Sequence, residues 1–219
     1  QARKRGGGRV IVSLDAHDLE ERAAFETADT ATPESIFEKH WALTVLEEVG
    51  NAVTHGIGAG LAIAGFVLLL LKSDTGLKVM ASCFYGISLI LMFLMSCLYH
   101  SYKSGLAVKR IWRRFDYSSI YLLIGGTFAP MYLVWENVLG IVLFCVQWAL
   151  IIAGITIICV FGPGRFRPIH YTLYFVIGWS AIMFIPDWFR NDKPLLGWIV
   201  GGGIVYTLGM IPFVKDTKG

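Results

Sequence analysis

The chain has 219 residues, is 55% hydrophobic and carries a formal net charge of +3. Its mean hydropathy of +0.60 is above that of an ordinary soluble domain, which excludes that class. The basic residues sit between apolar runs and do not alternate with aromatics in a patch, which excludes nucleic acid as a partner.

The apolar residues fall in runs of about twenty, the length needed to cross a hydrocarbon core roughly 30 Å thick. The expected class is therefore an all-α integral membrane protein. Residues 1–31 form a polar, Gly-rich arm, and its apolar run "VIVSL" is too short for a signal-peptide core. "TPESIFEKHWALTVLEEV" predicts a helix over 32–51. There Thr32 suits the N-cap, Pro33 the first helical position and Glu34 the positive end of the helix dipole. Ile36, Trp41, Leu43, Val45, Leu46 and Val49 recur as in a helix lying against the membrane interface.

A helix bundle is expected over 52–214, with spans over 52–71, 79–100, 116–135, 138–161, 169–188 and 195–214, followed by a short tail at 215–219. "GPGRFRP" breaks the chain between the fourth and fifth spans. Cys83, Cys97, Cys145 and Cys159 lie inside apolar runs without C-x-x-C spacing and read as small packing residues. Gly56-x-x-x-Gly60 predicts a close helix approach. Gly125, Gly126 and Pro130 predict a kink in the third span, and Gly201 to Gly203 predict packing. Trp41, Trp112, Trp135, Trp188 and Trp198 lie near span ends, as in an interfacial belt.

With six spans, fifteen Lys and Arg residues fall on the side of the N-terminal arm and four on the other. The positive-inside rule then places the N-terminus in the cytoplasm. Polar residues gather at that same level. Ser96 and His100 end the second span, Asp116 opens the third across a basic linker, and His170 opens the fifth. Glu47, Asn51 and His55, four residues apart, form a polar stripe at the entry of the first span. A serine, a histidine and a facing aspartate can form a buried hydrogen-bonded or metal-binding cluster.

The segments "EEVGNAVTHGIGA", "SCLYHSY", "KRIWRRFDYSSIYLLIGGTFAP" and "GGGIVYTLGMIPF" resemble, in order and spacing, the hemolysin III branch of the progestin and adipoQ receptor family. The resemblance runs from Glu47 to the end of the chain. It implies a seven-helix membrane bundle with a cytoplasmic N-terminus and zinc bound near the cytoplasmic side. It further implies His100 as a zinc ligand, Ser96 as the serine of the second helix, and Asp116 as the residue that holds the metal-bound water. The family's other two zinc ligands form a His-x-x-x-His pair on the seventh helix, a pattern absent from this sequence. Six helices of the seven are therefore expected here, with the seventh missing and the zinc shell incomplete. His55 and His170 sit at the depth where substitute ligands would have to lie.

Three functions are carried forward. One is a zinc-dependent hydrolase of a membrane lipid amide or ester, with Asp116 orienting or deprotonating water and Ser96 supporting it. The second is a non-enzymatic sensor or receptor of membrane composition with structural zinc. The third is membrane damage by pore formation or by an indirect haemolytic effect. Membrane lipid is the expected partner in each.

Overall fold

The structure, a computed structural model, describes residues 33–103, 106–134 and 138–216, with side chains from Thr44 to Val214 within those ranges. The expected arm at 1–31, the cap Thr32, the side chains of Ile36, Trp41 and Leu43, Trp135 and the end of the tail lie outside the described residues. The chain divides into two units, Gln1–Thr44 with Gly219, and Val45–Lys218.

No proline follows Pro33 until residue 130, so nothing in the sequence forces an early break. Helix α1 accordingly spans Pro33–Lys72, passing straight through the division expected between 51 and 52. Thr75 then caps α2, Gly76–Ser101, its side-chain oxygen accepting from the Lys78 amide at 3.3 Å. Helix α3 spans Ala107–Val134 and continues past Pro130. It begins nine residues before Asp116, so Lys109, Arg110, Arg113 and Arg114 are helical residues and not a linker. Helix α4 spans Val138–Phe161. It ends at Gly162, whose positive φ of 83° suits a glycine after a helix and whose amide bonds Ile158 O at 2.8 Å.

The fifth span is not one helix. It comprises α5, Arg167–Gly178, a 3-10 turn over Ser180–Phe184, and α6, Ile185–Asn191. Pro186 lacks the amide that would continue an α-helical ladder into this turn. Backbone groups released in a membrane need other partners. Here Ile177 O accepts from the Ser180 hydroxyl at 2.6 Å and from Gln147 Nε2 at 3.1 Å. Helix α7 spans Lys193–Asp216.

Among the described residues six helical segments are long and apolar enough to cross a membrane, and there is no strand. The protein is thus an all-α integral membrane protein, with six spans among the described residues. Its exposed surface carries many large apolar side chains, such as Leu61, Leu71 and Val205.

Helix α3 is the hub. Tyr121, Ile124, Phe128 and Tyr132 recur at helical spacing and form one buried cluster with Ile151 and Ile158 of α4 and Tyr174 of α5. Lipid tails are as apolar as a core, so this association depends on close packing and hydrogen bonds. Glycines supply the closeness. A Cβ on Gly125 would meet Ile151 Cδ1 at 2.5 Å, and one on Gly154 would meet Tyr121 Cε1 at 2.7 Å. The expected close approach at Gly56-x-x-x-Gly60 is formed only at Gly56, where a Cβ would meet Cys97 Sγ at 3.5 Å. Gly60 has nothing within 4 Å, whereas Gly58 and Gly86 seat the rings of Phe93 and Phe66. Of the triplet at 201–203, only Gly203 packs closely, against Trp179 at 3.3 Å. Trp188 is fully buried, and its ring stacks on Phe184. It belongs to the core and not to an interfacial belt, because the broken fifth span turns it inward.

Candidate functional site

The α1–α2 hairpin sets Glu48 and His55 of α1, two turns apart, against His100 and Ser96 of α2, one turn apart. Helix α3 adds Lys109 and Asp116, again two turns apart. Six polar side chains from three helices thereby meet at one end of the bundle.

Glu48 is the first centre. Its Oε2 lies 2.8 Å from His100 Nδ1, and its Oε1 accepts from Lys109 Nζ at 2.5 Å. The Lys109 side chain is only 9% exposed, and that of Glu48 is 26% exposed. Lys109 Nζ also lies 4.9 Å from the centre of the Tyr99 ring, which in turn packs on His100.

Ser96 is the second centre and is 3% exposed. Its hydroxyl lies 2.5 Å from His55 Nδ1, and it also faces the Asp116 carboxylate. His100 and Arg113 stand near the same carboxylate. The two imidazoles are edge to face with ring centres 6.1 Å apart, which couples the two centres.

A carboxylate only accepts, so His100 Nδ1 carries a proton toward Glu48. A hydroxyl both donates and accepts, so the Ser96–His55 contact is met by either tautomer of His55. A carboxylate behind Nδ1 is the usual support for a histidine whose Nε2 binds a metal. The rest of a metal shell is not supplied. Among the described residues no three His, Cys, Asp or Glu side chains are grouped to hold an ion. Structural and catalytic zinc sites need at least three protein ligands, so the described side chains do not fit zinc.

The structure therefore brings together Ser96, His100, Asp116 and His55. It places Glu47 at the surface and leaves Asn51 half-buried. His170 is buried elsewhere, its Nδ1 2.9 Å from the Tyr121 hydroxyl, between α3 and α5. Glu48 and Lys109 are the residues that sequence reasoning missed. Their signal is the seven-residue spacing of Glu48 to His55 and of Lys109 to Asp116.

Membrane-spanning helices around an internal cluster of carboxylates, imidazoles and a serine define a polytopic membrane protein with a polar site at one end. The family described as haemolysin-III related matches residues 43–216, and the chain belongs to that family, the branch its sequence motifs resemble. It is 37% identical to "Hemolysin-3" of Bacillus cereus over 177 residues, covering 78% of this chain and 80% of that protein. It is 32% identical to the "Hemolysin-3 homolog" of Bacillus subtilis (strain 168), covering 78% and 82%. The "Monocyte to macrophage differentiation factor" of Homo sapiens is 27% identical, covering 79% and 74%.

Proposed function

We propose that this haemolysin-III related protein is a membrane-embedded hydrolase of a lipid amide or ester, oriented with its N-terminus in the cytoplasm. The observation that carries the reading is the Ser96 hydroxyl bonded to His55 and facing Asp116, beside a His100 backed by Glu48. Ionisable groups within membrane spans are costly and are a functional signal when they face one another.

In this reading Asp116 accepts the proton of an attacking water. Ser96 holds the carboxylate in place and is itself held by His55. His100, oriented by Glu48, presents Nε2 toward the reacting centre. Zinc belongs to the proposal through the family resemblance alone. His100 would give it one nitrogen, and its other donors are not among the described side chains. Haemolysis, the property in the relatives' names, would follow here from altered lipid chemistry.

The test is lipid turnover by mass spectrometry in nanodiscs made from the host membrane lipids. The wild type should release fatty acid, and Asp116→Asn should lower the rate by about 100-fold or more. Equal rates for the two proteins, or no release by the wild type, would overturn the proposal.

A second reading has its own observation. Glu48 ties α1 to both α2 and α3 through His100 and Lys109, as a structural clamp in a sensor would. Under that reading His100→Ala lowers thermal stability with no turnover to lose.

A further inference from the structure

The polar cluster occupies one end of the α1–α2 hairpin, and the opposite end carries a different device. Phe66 and Phe93 stand between the two helices and leave a cleft of about 640 Å³ along α1. Its walls are apolar, including Leu61, Leu68 and Leu89, and it ends at Lys72 and Tyr85. A second cleft of about 240 Å³ shares Leu69, Lys72 and Tyr85 and extends toward Pro130 and Val134 of α3. The smaller cleft is also lined by Ser73, Ser82 and Lys78, so an apolar cleft and a polar recess meet at Lys72.

Lys72 is exposed, terminates the first span and has no ion pair among the described residues. Its neighbour Lys78 is committed to Asp74 at 2.6 Å. Asp74 lies outside the spans, and that lysine holds its carboxyl below the usual range. An uncompensated cation at the edge of the hydrocarbon calls for an anion at the same level. The large cleft calls for an apolar chain, and the polar recess beside it suits a headgroup.

We propose that the Lys72 end of the hairpin binds one anionic phospholipid, with its phosphate at Lys72, its headgroup at the polar recess and an acyl chain in the large cleft. A helix from a second copy of the chain would have to bring its own acid to Lys72, whereas every anionic phospholipid brings a phosphate. Lys72 lies seventeen residues along α1 from His55, about 25 Å at the helical rise. The lipid site is therefore separate from the polar cluster and does not depend on the proposed hydrolysis.

Two glycines permit a clean test. Gly65 lines the large cleft and Gly60 does not, yet a Cβ on either meets nothing within 4 Å. Gly65→Leu should fill the cleft, its Cβ meeting no neighbour, and Gly60→Leu is the matched control. The full chain is reconstituted in phosphatidylcholine nanodiscs containing a minor fraction of phosphatidylglycerol, and retained lipid is measured by native mass spectrometry. The wild type should retain phosphatidylglycerol enriched about fivefold over the bulk, the effect of one lysine at a membrane surface, and added salt should erode that enrichment. Lys72→Gln should abolish the enrichment. Gly65→Leu should release the lipid, and Gly60→Leu should keep it. Retention at the bulk ratio, or enrichment unchanged in Lys72→Gln and Gly65→Leu, would overturn the proposal. So would cross-linking of two copies through the cleft in place of lipid.

Discussion

Glu48 shows how much depends on one residue. Its two oxygens serve two donors from different helices, and the Lys109 side chain it neutralises is nearly inaccessible to water. Breaking a buried pair leaves an uncompensated charge and costs far more than losing a surface pair. Because Glu48 is partly exposed, the expected loss for Glu48→Gln is about 2 kcal/mol, below the range for full burial. Lys109→Met removes the stranded cation, so the double variant should be less destabilised than the sum of the two single variants. Denaturant unfolding in a fixed detergent measures all three. The sequence carried this pair only weakly. Choosing between Glu47 and Glu48 requires the phase of α1, and a stripe spaced by four favours the first. The helix faces its neighbours with the spacing of seven that Glu48 shares with His55. Lys109 was hidden for a different reason: a run of basic residues reads as a solvated linker until the helix is known to begin at Ala107.

At the scale of elements, glycines decide which helices touch. A Cβ on Gly126 would press on the Ser88 side chain and meet Phe84 O at 2.6 Å, and a backbone oxygen cannot move aside cheaply. Gly126→Ala should therefore destabilise the α2–α3 contact by about 1–3 kcal/mol, the usual result of overpacking. Gly60→Ala, facing open space, should be neutral or stabilising by about 0.5 kcal/mol through helix propensity. Thermal unfolding of the two variants side by side checks both signs. Apolar run length was enough to read all six spans, because crossing hydrocarbon demands it. It could not reveal the break in the fifth span, which depends on Gln147 and Ser180 being in place to occupy Ile177 O. Nor could it show that Gly60 faces outward while Gly58 and Gly86 face rings, because a small-residue motif does not specify its partner.

Across the whole molecule, packing is uneven. Half of the most apolar window of α3 is buried within the protein, against 6% for α1 and none for α7. Hydrogen exchange in micelles should therefore reach the α7 and α1 amides before those of α3, since sparsely packed elements open first. Uniform exchange across the helices would contradict this ordering. The polar site joins the sparsely packed α1 to the well-packed α3, and its ionic contacts supply what apolar packing there does not. The same contact shapes how the protein is made. Glu48 leaves the ribosome sixty-one residues ahead of Lys109, a wait of roughly 3–12 s at ordinary rates of synthesis. Until then the first hairpin holds an acid with no lysine to answer it. Biogenesis must shelter that carboxylate at the headgroups or in the insertion machinery until the third segment arrives.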